Sequence, residues 1–223
     1  MDKRTVKDIL YEQVARIGKA TSSPKRLELM ELLAQGEKSV EVLADELSIT
    51  IKLASAHLKA LKEARLVTAR KDGKFVYYRL AGEDVGNLWV AMREVAQEHL
   101  VELRVALDQI ASAPDKLASV SRRQFMEQAK RGEIIVIDVR PRAEFDHAHL
   151  PFARSMPLEE IAQRIAELPK NTEIVAYCRG PFCLFSEEAV QLLKSKGHKV
   201  SKLLDGVAEW TSAGMPIEAK EVQ

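Results

Sequence analysis

Cysteine and histidine are scarce in this chain, net charge is nearly absent, and no long apolar run occurs. Each shortage closes off a class of function. Two cysteines, Cys178 and Cys183, and five histidines in 223 residues leave few ligands for a structural zinc site, which takes four. No apolar stretch approaches the ~20 residues of a membrane-spanning helix, so no membrane partner is expected. Met1-Asp2-Lys3-Arg4 leads into an amphipathic stretch and not the apolar core of a signal peptide, and the expected location is cytoplasmic. A reducing cytosol keeps thiols free by default. A net charge of +1 gives no overall attraction to a polyanion. There is no internal repeat and no low-complexity tract. What remains is an ordinary soluble composition, 46% hydrophobic and 30% charged, in a chain long enough for two small domains with a core each.

The charge is unevenly placed. Residues 47–82 hold eight Lys/Arg against two acids, flanked by 8 against 9 in residues 1–46 and 2 against 6 in residues 83–112. Residues 113–223 are balanced at 16 against 16. A local basic stripe in a neutral protein is an electrostatic footprint for phosphate. A merely solvated face has the same composition, and charge alone does not choose between them.

Residues 3–20 carry Val6, Ile9, Leu10, Val14 and Ile17 at helical spacing. Ser22-Ser23-Pro24 caps a second helix, with Leu27, Met30, Leu32 and Leu33, that stops near Gly36. A third, over 39–47, buries Val40, Leu43, Ala44 and Leu47, and a fourth, over 50–64, turns Leu53, Ala54, Leu58 and Leu61 inward. Short strand-like runs flank Lys71-Asp72-Gly73, a hairpin signal. A long helix over 84–110 follows, with an apolar side broad enough to want a partner helix. Ala111-Ser112-Ala113-Pro114-Asp115 reads as the boundary, dividing the chain into domains 1–112 and 113–223. Beyond it, Ser121 and Gln124 have capping-box spacing for a helix over 121–131. Ile134-Ile135-Val136-Ile137 and Ile174-Val175-Ala176-Tyr177 read as strands buried on both faces. Helical patterns at 158–167 and 184–196 separate the strands, so this half is α/β with a parallel sheet.

Helix, turn, helix and basic hairpin make a winged helix-turn-helix, an α+β fold in which the second helix enters the major groove and the wing follows the backbone of double-stranded operator DNA. The pattern of helix 50–64 leaves Lys52, Ser55, Ala56 and Lys59 facing outward as candidate base and phosphate contacts. Arg70, Lys71 and Lys74 flank the wing tip. The chain here resembles the ArsR/SmtB family of bacterial repressors. The matching stretches are Ser23-Pro24-Lys25-Arg26-Leu27 with Leu32-Leu33, Ser55-Ala56-His57-Leu58 with Leu61, Ala64-Arg65-Leu66-Val67, and Gly73-Lys74 with Tyr77-Tyr78-Arg79-Leu80. The resemblance implies a homodimer, formed by the first and last helices, that represses its own operon until an inducer arrives. Metal-sensing members often carry a Cys-x-Cys pair before the recognition helix. Here Lys38-Ser39-Val40-Glu41-Val42-Leu43 has no thiol, and His99 with Glu98 and Glu102 is a thin ligand set. No metal and no cofactor is expected.

In the second half, a strand runs into the loop Cys178-Arg179-Gly180-Pro181-Phe182-Cys183 and then a helix. Loop amides and a helix N-terminus form an anion cradle that lowers a thiol's pKa, and Arg179 adds charge. Two buried cysteines acting as small hydrophobes, or a two-ligand metal contact, are the alternatives. This half resembles the rhodanese family over about residues 117–219. The signatures are Asp138-Val139-Arg140 with Glu144-Phe145, His149-Leu150-Pro151 with Ala153, the Cys178 loop, Leu204-Asp205-Gly206 with Glu209-Trp210, and Gly214-Met215-Pro216. In that family the loop cysteine takes sulfane sulfur as a persulfide held by the loop amides. Asp138, Arg140 and Glu144 are read as structural ion pairing.

Sulfurtransferase members with a six-residue loop commonly end it in Arg or Lys. Here that position is Cys183, and the family's Pro-Gly pair reads Pro151-Phe152. The phosphatase-type loop needs an arginine where Leu184 stands, which discounts phosphoryl and arsenate chemistry. A second thiol suits switching: Cys183 can resolve a Cys178 persulfide. Cys178 is expected to be the more accessible and reactive thiol, with Cys183 screened by Phe182, Leu184 and Phe185. The leading expectation is a repressor answering a small sulfur-containing inducer or oxidant through Cys178 and Cys183. A weak rhodanese-type sulfurtransferase with an accessory DNA-binding domain and an arsenical-responsive repressor are the alternatives.

Overall fold

The structure, a computed structural model, describes residues 2–110 and 121–219. Contacts divide it into two units, Met1–Trp89 and Val90–Gln223. The boundary expected at 111–115 lies outside the described residues. By contacts the second unit begins earlier, within a helix, because residues past Trp89 pack with it; Arg93 is the clearest case.

In the first unit, helices α1 (Lys3–Thr21) and α2 (Pro24–Leu33) precede a short strand β1 (Lys38–Ser39) that the sequence pattern did not reveal. Then come α3 (Val40–Glu46), α4 (Ile51–Glu63) and the hairpin β2 (Val67–Asp72) and β3 (Phe75–Leu80). The sheet order is β1-β3-β2, all antiparallel. Ser39 and Thr50 start α3 and α4 by accepting hydrogen bonds from Val42 N–H and Leu53 N–H. Asp72 pairs with Phe75, so Gly73 and Lys74 form a two-residue turn. Gly73 takes φ +58° at its first position, which a glycine tolerates and a side chain resists. Leu29, Met30, Leu43, Ala54, Leu58 and Leu61 form a fully buried core. Leu53, expected inside, is 44% exposed. It stands one residue before Ala54 on α4, and Ala54, not Leu53, shares the inward face with Leu58 and Leu61.

The helix expected over 84–110 is two, α5 (Glu83–His99) and α6 (Val101–Ile110). Leu100 N–H still donates to Ala96 O at 2.8 Å and Arg104 N–H to Leu100 O at 3.3 Å, so the helix bends at Leu100 more than it ends.

The second unit has a parallel sheet in the order β5-β4-β6-β7. Its strands are β4 (Ile134–Asp138), β5 (Arg154–Ser155), β6 (Glu173–Tyr177) and β7 (Val200–Lys202). Helices α7 (Arg122–Lys130), α8 (Arg142–His147), α9 (Ile161–Arg164), α10 (Phe185–Ser195) and α11 (Val207–Ser212) accompany it. Short 3-10 turns flank α9, where one helix over 158–167 was expected. Ser121 and Gln124 form the expected capping box on α7. β4 and β6 are the central strands. One of the apolar clusters lining them holds Ile137, Ile174, Ala176 and Cys178, and the other holds Val136, Val175, Tyr177 and Trp210. A strand buried on both faces is the physical reason for the unbroken apolar runs.

Candidate functional site

Helix α4 buries Ala54, Leu58 and Leu61, which leaves Lys52, Ala56 and Lys59 exposed and Ser55 half-buried. Lys59 has a loose partner, Glu63, at 3.9 Å. On the wing, Lys71 and Lys74 are exposed, and Lys74 lies over the Phe75 ring at 5.2 Å. Arg70 is placed differently from its expected phosphate-facing role. Its guanidinium donates to both carboxylate oxygens of Glu37, the shortest contact being 2.6 Å, and to Asp72 at 3.0 Å. It also lies 4.6 Å over the ring of Tyr77, its cross-strand neighbour. The Glu37 hydrogen bonds, then those of Asp72, push its pKa further up. Arg70 is thus a neutralised strut of the wing. Glu37 precedes β1 by one residue but lies 33 positions from Arg70 in sequence, beyond the reach of local pattern.

The cysteine loop leaves the C-terminal end of β6. Tyr177, the last strand residue, is fully buried and donates its hydroxyl hydrogen to Asp138 Oδ2 at 2.6 Å while accepting from Leu150 N–H at 3.0 Å. Burial first, and the Asp138 charge second, hold its pKa well above the usual phenol value. Asp138 in turn accepts from Arg140 Nη2 at 2.6 Å, with both side chains fully buried. The strand end that presents Cys178 is therefore pinned on the polar side. Cys178 follows directly and is 1% exposed, and it is joined to Cys183 by a disulfide with Cα atoms 6.2 Å apart. The two thiols that a reducing cytosol would keep apart are thus within bonding reach and bonded. Cys183 N–H donates to Gly180 O at 3.1 Å, which closes a turn across the expected cradle residues Gly180, Pro181 and Phe182.

Access is the reverse of the expectation. Cys178 is buried while Cys183 is half-buried, and its intended screens Leu184 and Phe185 are exposed. The strand end is covered by the sheet's helices, whereas the start of α10 lies at the surface. Arg179 also departs from its expected place. It forms a forked pair with Glu144, Nη2 to Oε1 at 2.5 Å and Nε to Oε2 at 3.0 Å, so its charge is matched by a buried carboxylate. Lys202, on β7 and 8% exposed, donates to Cys183 O at 3.4 Å.

Three residues that sequence pattern did not single out for the site frame the loop. A Cβ on Gly206 would lie 2.6 Å from Cys178 O and 2.7–2.8 Å from Arg179 backbone atoms, so the start of α11 abuts the loop only because residue 206 lacks a side chain. Glu209 Oε2 accepts from Gly206 N–H at 2.5 Å, a signal readable as a helix-cap spacing. Glu209 Oε1 also meets Arg93 Nη1, from α5, at 2.7 Å, and both side chains are almost fully buried. Gly180, at φ +140°, sits against this pair: a Cβ there would lie 3.2 Å from Arg93 Nη1 and from both Glu209 oxygens.

Among the described residues, no group of three or more His, Cys, Asp or Glu side chains is arranged to hold a metal ion. No helix among the described residues is long and apolar enough to cross a membrane. His149 stacks on Phe145 with ring centroids 3.8 Å apart.

Two family models match the chain: the bacterial regulatory protein arsR family over residues 23–69 and the rhodanese-like domain over residues 121–213. The chain is 41% identical over 212 residues to the HTH-type transcriptional regulator Rv0324 of Mycobacterium tuberculosis, covering 95% of this chain and 93% of that protein. It is 32% identical over 90 residues to a protein named sulfurtransferase from Allochromatium vinosum, covering 40% of this chain and 82% of that one. A solved fragment from Mycobacterium bovis, described as a homodimeric winged helix-turn-helix DNA-binding domain, is 46% identical, covers 46% of this chain and 93% of the fragment, and superposes with a TM-score of 0.42. The chain belongs to the ArsR-family transcriptional regulators that carry a C-terminal rhodanese-like domain.

Proposed function

We propose that this regulator is a dimeric repressor whose operator affinity is set by the sulfur state of Cys178 and Cys183. The observation that carries the reading is the bond between these two residues at the end of a rhodanese-type strand. It is the end state of a balanced exchange. The Cys178 thiolate attacks a sulfane sulfur of an inorganic polysulfide. The sulfur–sulfur bond breaks, the shortened polysulfide leaves with the electron pair, and Cys178 holds a persulfide. The Cys183 thiolate then attacks Cys178 Sγ and displaces hydrosulfide, which takes up the Cys183 proton as hydrogen sulfide. The two cysteines are oxidised and the sulfane sulfur is reduced. Dimerisation is supported by the apolar residues exposed on α1 (Leu10, Tyr11, Val14) and on α5 and α6 (Val95, Leu100, Val101, Val105), a seam wanting a partner.

The test uses DNA from the promoter of the protein's own operon. Reduced protein binds it in a gel shift, polysulfide weakens the binding, and mass spectrometry finds the Cys178–Cys183 link. Cys183→Ser accumulates the Cys178 persulfide instead. Cys178→Ser binds but does not respond; a normal response from that variant overturns the reading. The likeness to a protein named sulfurtransferase favours a second reading, turnover of thiosulfate to cyanide, which a thiocyanate assay measures directly.

A further inference from the structure

We infer that the buried Arg93–Glu209 ion pair is the element through which the cysteine loop acts on helix α5, with Arg93 as the positioning residue that couples sulfur state to DNA affinity. The inference rests on the reading of Cys178 and Cys183 as the responsive pair. Three groups of the loop and its support lie against the ion pair. Gly180 leaves no room for a Cβ beyond 3.2 Å from the pair's three nearest atoms. Phe182 has its ring 5.9 Å from the Arg93 guanidinium carbon. Gly206, whose N–H donates to Glu209, leaves no room for a Cβ beside Cys178 O and the Arg179 backbone. Gly180 and Phe182 lie inside the ring that the Cys178–Cys183 bond closes. When that bond opens, or lengthens by a retained sulfur atom with its two S–S bonds of about 2.05 Å, the constraint that holds these two residues against the ion pair changes.

The response of the pair is steep because packed interiors change by switching between arrangements and not by yielding smoothly. Its side chains are 2% and 3% exposed, so water cannot replace either partner, and an arginine separated from its carboxylate there is strongly disfavoured. A loop that shifts at Gly180 must therefore carry Arg93 with it or break the pair. Arg93 stands on α5, one helix from Glu83 to His99, which starts three residues after the wing strand β3 ends at Leu80. Val85 and Trp89 on the same helix are buried. Movement at Arg93 is thus movement of the helix that follows the wing, a rigid element of the kind that conveys coupling.

The experiment measures the ratio of operator Kd with and without polysulfide for the full chain. The variants are Arg93→Gln and the double variant Arg93→Met with Glu209→Gln, which removes both charges yet keeps an acceptor for Gly206 N–H. The double variant guards against a fold lost to one unpaired buried charge. Wild type is expected to change affinity about 5-fold or more, the range of ordinary allosteric coupling. In the variants the Cys178–Cys183 link still forms, as mass spectrometry reads it, but the ratio falls to about one, and Arg93→Lys recovers part of it. Variants that respond like wild type overturn the inference while leaving the sulfur-responsive reading standing. Variants that no longer form the link also overturn it, because the pair then only props the loop. A wild type without any response removes the reading and the inference together.

Discussion

Replacing Gly206 by alanine adds one methyl group where the structure has no room. The new Cβ would lie 2.6 Å from Cys178 O and 2.7–2.8 Å from the Arg179 carbonyl carbon and oxygen. All three are backbone atoms at the end of a central strand, and Cys178 is 1% exposed, so no flexible tip can move aside. Ordinary contact needs nearly 1 Å more than is available. Forced overpacking of this kind costs about 1–3 kcal/mol, and the backbone location places it toward the upper end. For a unit of this size each kcal/mol lowers Tm by about 4 °C, so the second unit should melt on the order of 10 °C earlier. Gly86→Ala on α5 is the matched control. Its Cβ would meet only Leu80 Cδ1, at 3.7 Å, and its helical position should gain about 0.5–1 kcal/mol. Differential scanning calorimetry of both variants decides the matter. If Gly206→Ala melts with wild type, the close approach of α11 to the cysteine loop is wrong, and the framing of the site with it.

Lys71→Ala and Lys74→Ala should each lower the slope of log K against log salt by about 0.9, whereas Arg70→Ala should change it less, since Glu37 and Asp72 already match its charge; equal slopes for all three variants would contradict that pairing. Leu100→Lys should give a monomer by sedimentation and abolish operator binding, because Leu100 lies on the exposed apolar seam and a buried unpaired ammonium costs several kcal/mol. Phe152 holds φ +65°, a left-handed conformation that glycine adopts freely and a side chain adopts at a cost of about 1–2 kcal/mol. Phe152→Gly should therefore raise the melting temperature of the second unit, and a lower one would mean that the ring, 46% exposed, packs better than its exposure indicates.

Periodic and local features were legible in the sequence because short-range physics decides them. The inward residues Ala54, Leu58 and Leu61 follow the helix period, Gly73 marks its turn, Ser121 and Gln124 cap α7, and the apolar runs of β4 and β6 are the buried strands. The position of Cys178 at a strand end was readable for the same reason. What could not be read are pairings between distant residues. Arg70 with Glu37, Arg179 with Glu144 and Arg93 with Glu209 join residues 33, 35 and 116 positions apart. The first two change the role of a cation that looks available in the sequence, and the third involves an arginine that no sequence pattern marks. The order of access to the two thiols was misread because flanking hydrophobes were taken as cover. Leu184 and Phe185 begin a surface helix and cover little.

These long-range pairs bear on the choice between a sulfur switch and a thiosulfate enzyme. Thiosulfate is a dianion, and binding it at a buried thiol calls for positive charge that is not already matched. The loop has two arginines beside it, and each faces a buried glutamate: Arg179 faces Glu144 and Arg93 faces Glu209. The loop ends in the uncharged Cys183, and Lys202 directs its ammonium to that residue's carbonyl. An environment of matched charges gives a dianion little reason to enter, but it does not hinder exchange between two sulfur atoms already in place. The half-buried Cys183 sulfur is then the one that an external thiol meets first. Attack there would release the Cys178 thiolate and leave Cys183 in a mixed disulfide, which a second thiol resolves to restore the reduced loop. The bonded state thus leaves one sulfur open to a reductant, which favours a reversible state change over turnover.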